Sequence, residues 1–274
     1  MEQKKHKEKI KIKFSELKNE IKTHKSTFVV YVVLRLLVIA AMVISFLRGD
    51  YESLFVCALS LVLFLAPAFI QSNFGIELPS TLEIIILLFI FAAEILGELN
   101  SYYIKYSFWD TMLHTLNGFL CAAVGFALLD VINRNSKIKF KLSPVYLSIV
   151  AFCFSMTIGV LWEFFEFGCD IFLHTDMQKD FVVTDIYSTA LDSTKSNKAV
   201  AINDITEVYI NGEKLDIEGY LDIGLIDTMK DLLVNFIGAA IFSIIGYFYI
   251  KGRGKSKFAK RFIPMLKGEN NDKD

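Results

Sequence analysis

Cysteine is scarce in this chain. Four occur in 274 residues, Cys57, Cys121, Cys153 and Cys169. No spacing among them suggests a zinc site or a disulfide framework. Three lie inside apolar runs, where free cysteine behaves as a small hydrophobe. Net charge is almost absent as well, at −1, so the charge balance gives no reason to expect a nucleic-acid partner. The chain has no His-Glu-x-x-His, no Walker motif, no dinucleotide fingerprint and no Gly-x-Ser-x-Gly. Neither an internal repeat nor a low-complexity tract stands out. What is plentiful is apolar: 54% of residues are hydrophobic and 14% aromatic, and mean hydropathy is +0.45. Those values lie beyond an ordinary soluble domain and point to a polytopic membrane protein.

Six apolar runs, near 28–47, 53–71, 82–99, 109–132, 145–167 and 227–250, each approach the roughly 20 residues needed to cross a bilayer. The fold class expected is therefore all-α, a polytopic membrane helix bundle of about six transmembrane helices. Basic residues cluster in three places: the N-terminal tail, Arg134 to Lys141, and Lys251 to Arg261. The positive-inside rule makes all three cytoplasmic. Six spans then place both termini inside and the loops near 48–52, 100–108 and 168–226 outside.

Residues 1–27 form a basic cytoplasmic tail in which Ile10, Phe14, Leu17 and Ile21 recur at helical spacing. They read as an amphipathic helix on anionic membrane lipid, or as a solvated tail. The segment is too polar for a signal peptide, so no cleavage is expected. Residues 251–274 form a second basic tail. The loop 168–226 is long and acidic. Within it Glu207 to Ile217 reads as a β-hairpin, because Asn211-Gly212 suits a type I′ turn and the flanks alternate. A small extracytoplasmic cap is expected there.

The polar residues inside the apolar runs are few and regularly spaced. Glu163 and Glu166 close the fifth run, three residues apart and so on one helix face. Asp110 and His114 open the fourth at i, i+4. Asp110 could be an interfacial N-cap, and a lone His114 could be a satisfied core residue. Asp227, Asp231 and Asn235 open the sixth at i, i+4, i+8. Asp227 could again be a cap, but Asp231 lies about 6 Å further along the axis, where capping no longer explains it. Gly238 and Gly246 on roughly the same side allow close helix approach. Glu94 and Glu98 lie one turn apart in the third run. Arg35 in the first is a counter-charge or a snorkelling side chain.

Topology gives these residues a common depth. The fourth and sixth runs enter from outside, and the third and fifth leave there. Asp110, His114, Glu163, Glu166, Asp227 and Asp231 thus all fall in the outer part of the membrane, with Glu94 and Glu98 near the same level. Carboxylates gathered together cannot all stay ionised without protons or a cation. One imidazole with several carboxylates suits a divalent metal such as Zn²⁺, Mn²⁺ or Mg²⁺.

The pieces Asp110-x-x-x-His114-x-x-x-Gly118, Trp162-Glu163-x-x-Glu166 and Asp227-x-x-x-Asp231 followed by Gly238-Ala239 resemble the YjdF-like family of bacterial membrane proteins, and more distantly VanZ-like proteins. The match covers the last three runs, somewhat under half the chain. It implies a helical membrane protein of unestablished activity. The VanZ-like association with glycopeptide resistance points to the cell envelope. Loop 171–225 has no counterpart in that pattern.

Three functional readings follow. The cluster is a metal- or carboxylate-based site acting on a lipid-linked or envelope substrate, with Glu163 or Glu166 as catalytic base. Or it is the coupling site of a proton- or cation-coupled transporter. Or it is a polar clasp without chemistry. A transporter needs polar residues continuing inward, and below Asn235 the sixth run is nearly apolar.

Overall fold

Helix-forming apolar runs in hydrocarbon must satisfy their own backbone, and the computed structural model of the chain is built accordingly. It describes residues 25–134, 142–252 and 255–266. The expected tail helix near residues 10–21 lies outside these. In chain order the helices are α1 (Lys25–Arg48), α2 (Tyr51–Leu63), α3 (Ala66–Phe74), α4 (Ser80–Ile90), α5 (Tyr102–Lys105), α6 (Trp109–Arg134), α7 (Pro144–Leu173) and α8 (Leu225–Lys251). Among the described residues five stretches are long and apolar enough to cross a membrane as single helices: α1, Tyr51–Asn73, α6, α7 and α8. The polytopic helical class expected from the sequence is what is found.

The contacts divide the chain into two units, one running to Met156 and resuming at Asn235, the other Thr157–Val234. In the first, α1 packs on α2 and α4. Val38, Cys57, Leu82, Phe126 and Phe242 lie in its core. Leu36, Leu37, Ile44 and Phe46 are exposed on the outer side of α1, as suits a helix facing lipid. The α2 helix breaks at Phe64, and Pro67 opens α3, where a missing amide hydrogen costs nothing. Gly75, at φ +63°, ends α3 in the left-handed conformation.

The third expected run differs from a plain α-helix. After α4 the chain continues as a π-helix over Phe91–Leu99, so the stretch from Ser80 to Leu99 is helical throughout but not uniform. Strand β1 (Ile76–Glu77) pairs antiparallel with β8 (Met265–Leu266).

The same pairing shows what the second basic tail does. It turns back onto the bundle rather than trailing away. Ala259 and Ile263 are buried, and the Phe262 ring packs edge-on against Phe119 of α6 at 5.5 Å.

In the second unit, residues 174–224 connect α7 to α8 through short antiparallel pairs. Strands β2 (Val182–Val183) and β7 (Tyr220–Leu221) pair, as do β3 (Ile186–Ser188) and β4 (Val200–Ile202). The expected hairpin forms as β5 (Tyr209–Ile210) with β6 (Glu213–Lys214). Asn211 and Gly212 both have positive φ, 54° and 89°, as a type I′ turn requires. The first two pairs were not legible in the sequence, because their two- and three-residue strands carry too little alternation.

Candidate metal centre

The helices α6 and α8 cross closely at two glycines. A side chain on Gly118 would collide with the Asn235 backbone, and one on Gly238 with the Thr115 backbone. Only glycine lets the helices approach so far. At this crossing Asn117 donates through Nδ2 to Asn235 Oδ1 at 3.4 Å. Asn235 is 1% exposed and turns its own amide to Met156 Sδ at 3.5 Å. Ser155 of α7 donates to the Gly118 carbonyl at 2.7 Å. Buried amides and hydroxyls must find such partners.

One helical turn before Asn117 comes His114, and one turn before Asn235 comes Asp231. His114 is buried, and its Nε2 lies 3.5 Å from Asp110 Oδ1. Asp110 sits inside the first turn of α6 and faces the imidazole, so the N-cap reading does not describe it. Its Oδ2 is buried with no hydrogen-bond partner among the described residues.

In the second unit Glu163, Glu166, Asp227 and Asp231 are all buried, at 4%, 8%, 5% and 1% exposed. Glu163 and Glu166 do not close the fifth helix, as the apolar run alone suggests: α7 runs on to Leu173, which leaves Glu166 about 10 Å inside the helix end. The apolar Ile171, Phe172 and Leu173 carry the helix past Gly168. Loop 168–226 accordingly shrinks to 174–224. Trp162 Nε1 donates to Glu166 Oε1 at 2.9 Å, fixing that carboxylate from its own helix.

Capping of α8 is done elsewhere. Asp222 Oδ2 accepts from the Ile226 amide at 2.7 Å. Asp227 instead accepts from the Lys179 amide at 2.9 Å, tying the loop to the helix. Asp222 is one acid among many in the loop sequence; its place three residues before Leu225, where α8 begins, is the available signal.

Among the described residues Asp110 and His114 of the first unit offer ligand atoms within 4.8 Å of one another, as do Glu163 and Glu166 of the second. His, Asp and Glu side chains of this kind could hold a metal ion. Asp227 belongs to neither pair. Nor do Glu94 and Glu98, which lie on the π-helical stretch. Arg35 stacks on Tyr31, its guanidinium 4.4 Å from the ring centre, an intrahelical contact that periodicity alone does not announce.

No curated protein and no solved structure matches the chain. A family model described as "Predicted membrane protein (DUF2238)" matches residues 30–252, a range that includes every helix carrying these side chains. With several membrane-crossing helices and this match, the chain is a multi-pass membrane protein and belongs to the DUF2238 family of predicted membrane proteins.

Proposed function

We propose that the chain holds a divalent cation, Zn²⁺, Mn²⁺ or Mg²⁺, on ligands drawn from Asp110, His114, Glu163, Glu166, Asp227 and Asp231. Burial carries the reading. Four carboxylates under one-tenth exposed lie in otherwise apolar helices, and such groups need protons or a cation to be stable there. The pairing of Asp110 with His114, and of Glu163 with Glu166, adds to it. If Asp110, His114 and Asp231 are the ligands, Glu163 and Glu166 are left for proton transfer. The chemistry then is activation of a metal-bound water by a glutamate base, for attack on a lipid-linked or envelope substrate.

The basic clusters orient the chain with both termini cytoplasmic and the cluster in the outer half of the membrane. The YjdF-like and VanZ-like resemblances of the three motifs point to the bacterial envelope. A transporter is the weaker reading, since the sixth span below Asn235 runs Phe-Ile-Gly-Ala-Ala-Ile-Phe, without a polar path. One observation favours a polar clasp as the second reading: Asp227 spends its Oδ2 on a loop amide.

Thermal unfolding of the purified full chain with and without chelator tests the proposal. Stripping a metal held at about a hundred times its Kd removes roughly 3 kcal/mol, so the melting temperature falls by several degrees, and less in Glu163→Gln. Unchanged melting in both proteins means that the carboxylates share protons instead.

A further inference from the structure

Two serine hydroxyls in the spans have no partner. Ser148 of α7 and Ser243 of α8 are each 8% exposed, and neither Oγ has a hydrogen bond among the described residues. Two other hydroxyls in the spans bond back to their own helix: Ser60 Oγ donates to the Val56 carbonyl at 2.8 Å and Thr115 Oγ1 to the Thr111 carbonyl at 2.7 Å. That is the usual solution for a hydroxyl on a helix. Ser148 and Ser243 do not take it, and an unmatched hydroxyl in hydrocarbon is costly.

Both line one open groove of about 340 Å³. Its walls are otherwise apolar, with Val145, Ile149 and Phe152 from α7 and Ala240, Ile244 and Phe248 from α8. The groove runs along the part of each helix nearest the end where α7 begins and α8 finishes. Ser148 lies about 6 Å inward from Pro144, and Ser243 about 12 Å inward from Lys251. At the mouth the Lys251 Nζ stands 5.4 Å from the centre of the Tyr247 ring, which also lines the groove. At the same end α7 is capped by Ser143, whose Oγ accepts from the Tyr146 amide at 3.2 Å, so Lys251 is the group there that favours an anion.

We propose that this groove binds one anionic glycerophospholipid. Its phosphate sits at the mouth by Lys251 and the start of α7. Its ester carbonyls accept from Ser148 and Ser243, and an acyl chain lies along the apolar walls. The order of features with depth is the order within such a lipid: anion, then carbonyls, then hydrocarbon. A helix of a second copy fits less well. Its carbonyls are already used in its own ladder, and it brings nothing for the Lys251 charge.

Native mass spectrometry of the full chain in detergent tests this, with dioleoylphosphatidylglycerol and its dialkyl ether analogue as probes. The ether keeps headgroup and chains but lacks the carbonyls. The ester lipid is expected to bind about fivefold more tightly, the worth of roughly one net hydrogen bond. Ser148→Ala with Ser243→Ala should abolish that difference, and Lys251→Ala should lower the preference for phosphatidylglycerol over phosphatidylcholine. Equal binding of ester and ether by the unaltered chain overturns the proposal without recourse to any variant. So does a chain that retains no lipid and dissociates from dimer to monomer in Ser243→Leu, which would assign the groove to a second copy.

Discussion

Aspartates outside the spans and acids inside them are the same chemistry in opposite circumstances. In the 174–224 connection each well-placed aspartate has a backbone reason to exist. Asp192 accepts from the amides of Thr194 and Ser196 at 2.9 and 2.8 Å. Asp222 holds the Phe181 amide at 2.7 Å and caps α8. At the end of α7, Asp170 gathers the amides of Met177 and Gln178 and the Thr175 hydroxyl. These carboxylates organise turns, as short polar side chains do. Glu163, Glu166 and Asp231 lie deep in helices whose amides are already committed. No turn or cap needs them. The contrast teaches that a carboxylate's role is read from what remains when local backbone needs are met.

The largest expected effect sharpens that contrast from the buried side. Asp231→Asn should cost about 3 kcal/mol and lower metal content together, because a buried charged assembly loses one partner. A cluster that only shares protons responds in the opposite sense, with equal or greater stability once repulsion is relieved. Chemical denaturation of the two proteins, with metal content measured in parallel, separates these outcomes.

An intermediate effect is expected at Asp170→Ala. Loss of its hydrogen bonds should cost about 1–2 kcal/mol, loosen residues 174–180 and leave metal content unchanged. Hydrogen exchange at Met177 and Gln178 reads this directly. If metal content falls as well, the division between turn-forming and cation-holding acids is drawn in the wrong place.

The smallest effect is on pH. Hydrogen bonding from Thr194 holds Asp192 below the usual carboxylate range, and Lys214 does the same for Glu207. A folded value below the unfolded one gives a contribution that is complete above the unfolded pKa and lost as pH falls through the folded one. The β3–β4 and β5–β6 pairs should therefore be unaffected from neutrality down to about pH 5 and loosen only below about pH 4. Amide chemical shifts of Ser196 and Tyr209 across that titration check it; a transition near neutrality would contradict it.

Much of this was legible in the chain because membrane physics is strict. Span length, the Asn211-Gly212 turn and the helical spacing of Asp110 with His114 are dictated by local rules, and each has its counterpart in the structure. What was not legible depends on partners remote in sequence. The extension of α7 to Leu173 needs the amides of Met177 and Gln178 to absorb Asp170. The return of the basic tail depends on Ile76 and Glu77 offering an open strand edge. The π-helical turn of Phe91–Leu99 has no compositional mark. The close crossing of α6 on α8 likewise depends on which remote backbone meets Gly118 and Gly238.

The central claim is that the buried acids and His114 exist to hold a cation. Elemental analysis of the full chain, purified without chelator and compared with His114→Ala, tests it most directly. About one equivalent of a divalent transition metal or magnesium in the unaltered protein, and its loss from His114→Ala, is the result expected if the cation depends on that imidazole. Metal absent from both proteins, or retained undiminished by His114→Ala, would contradict the account.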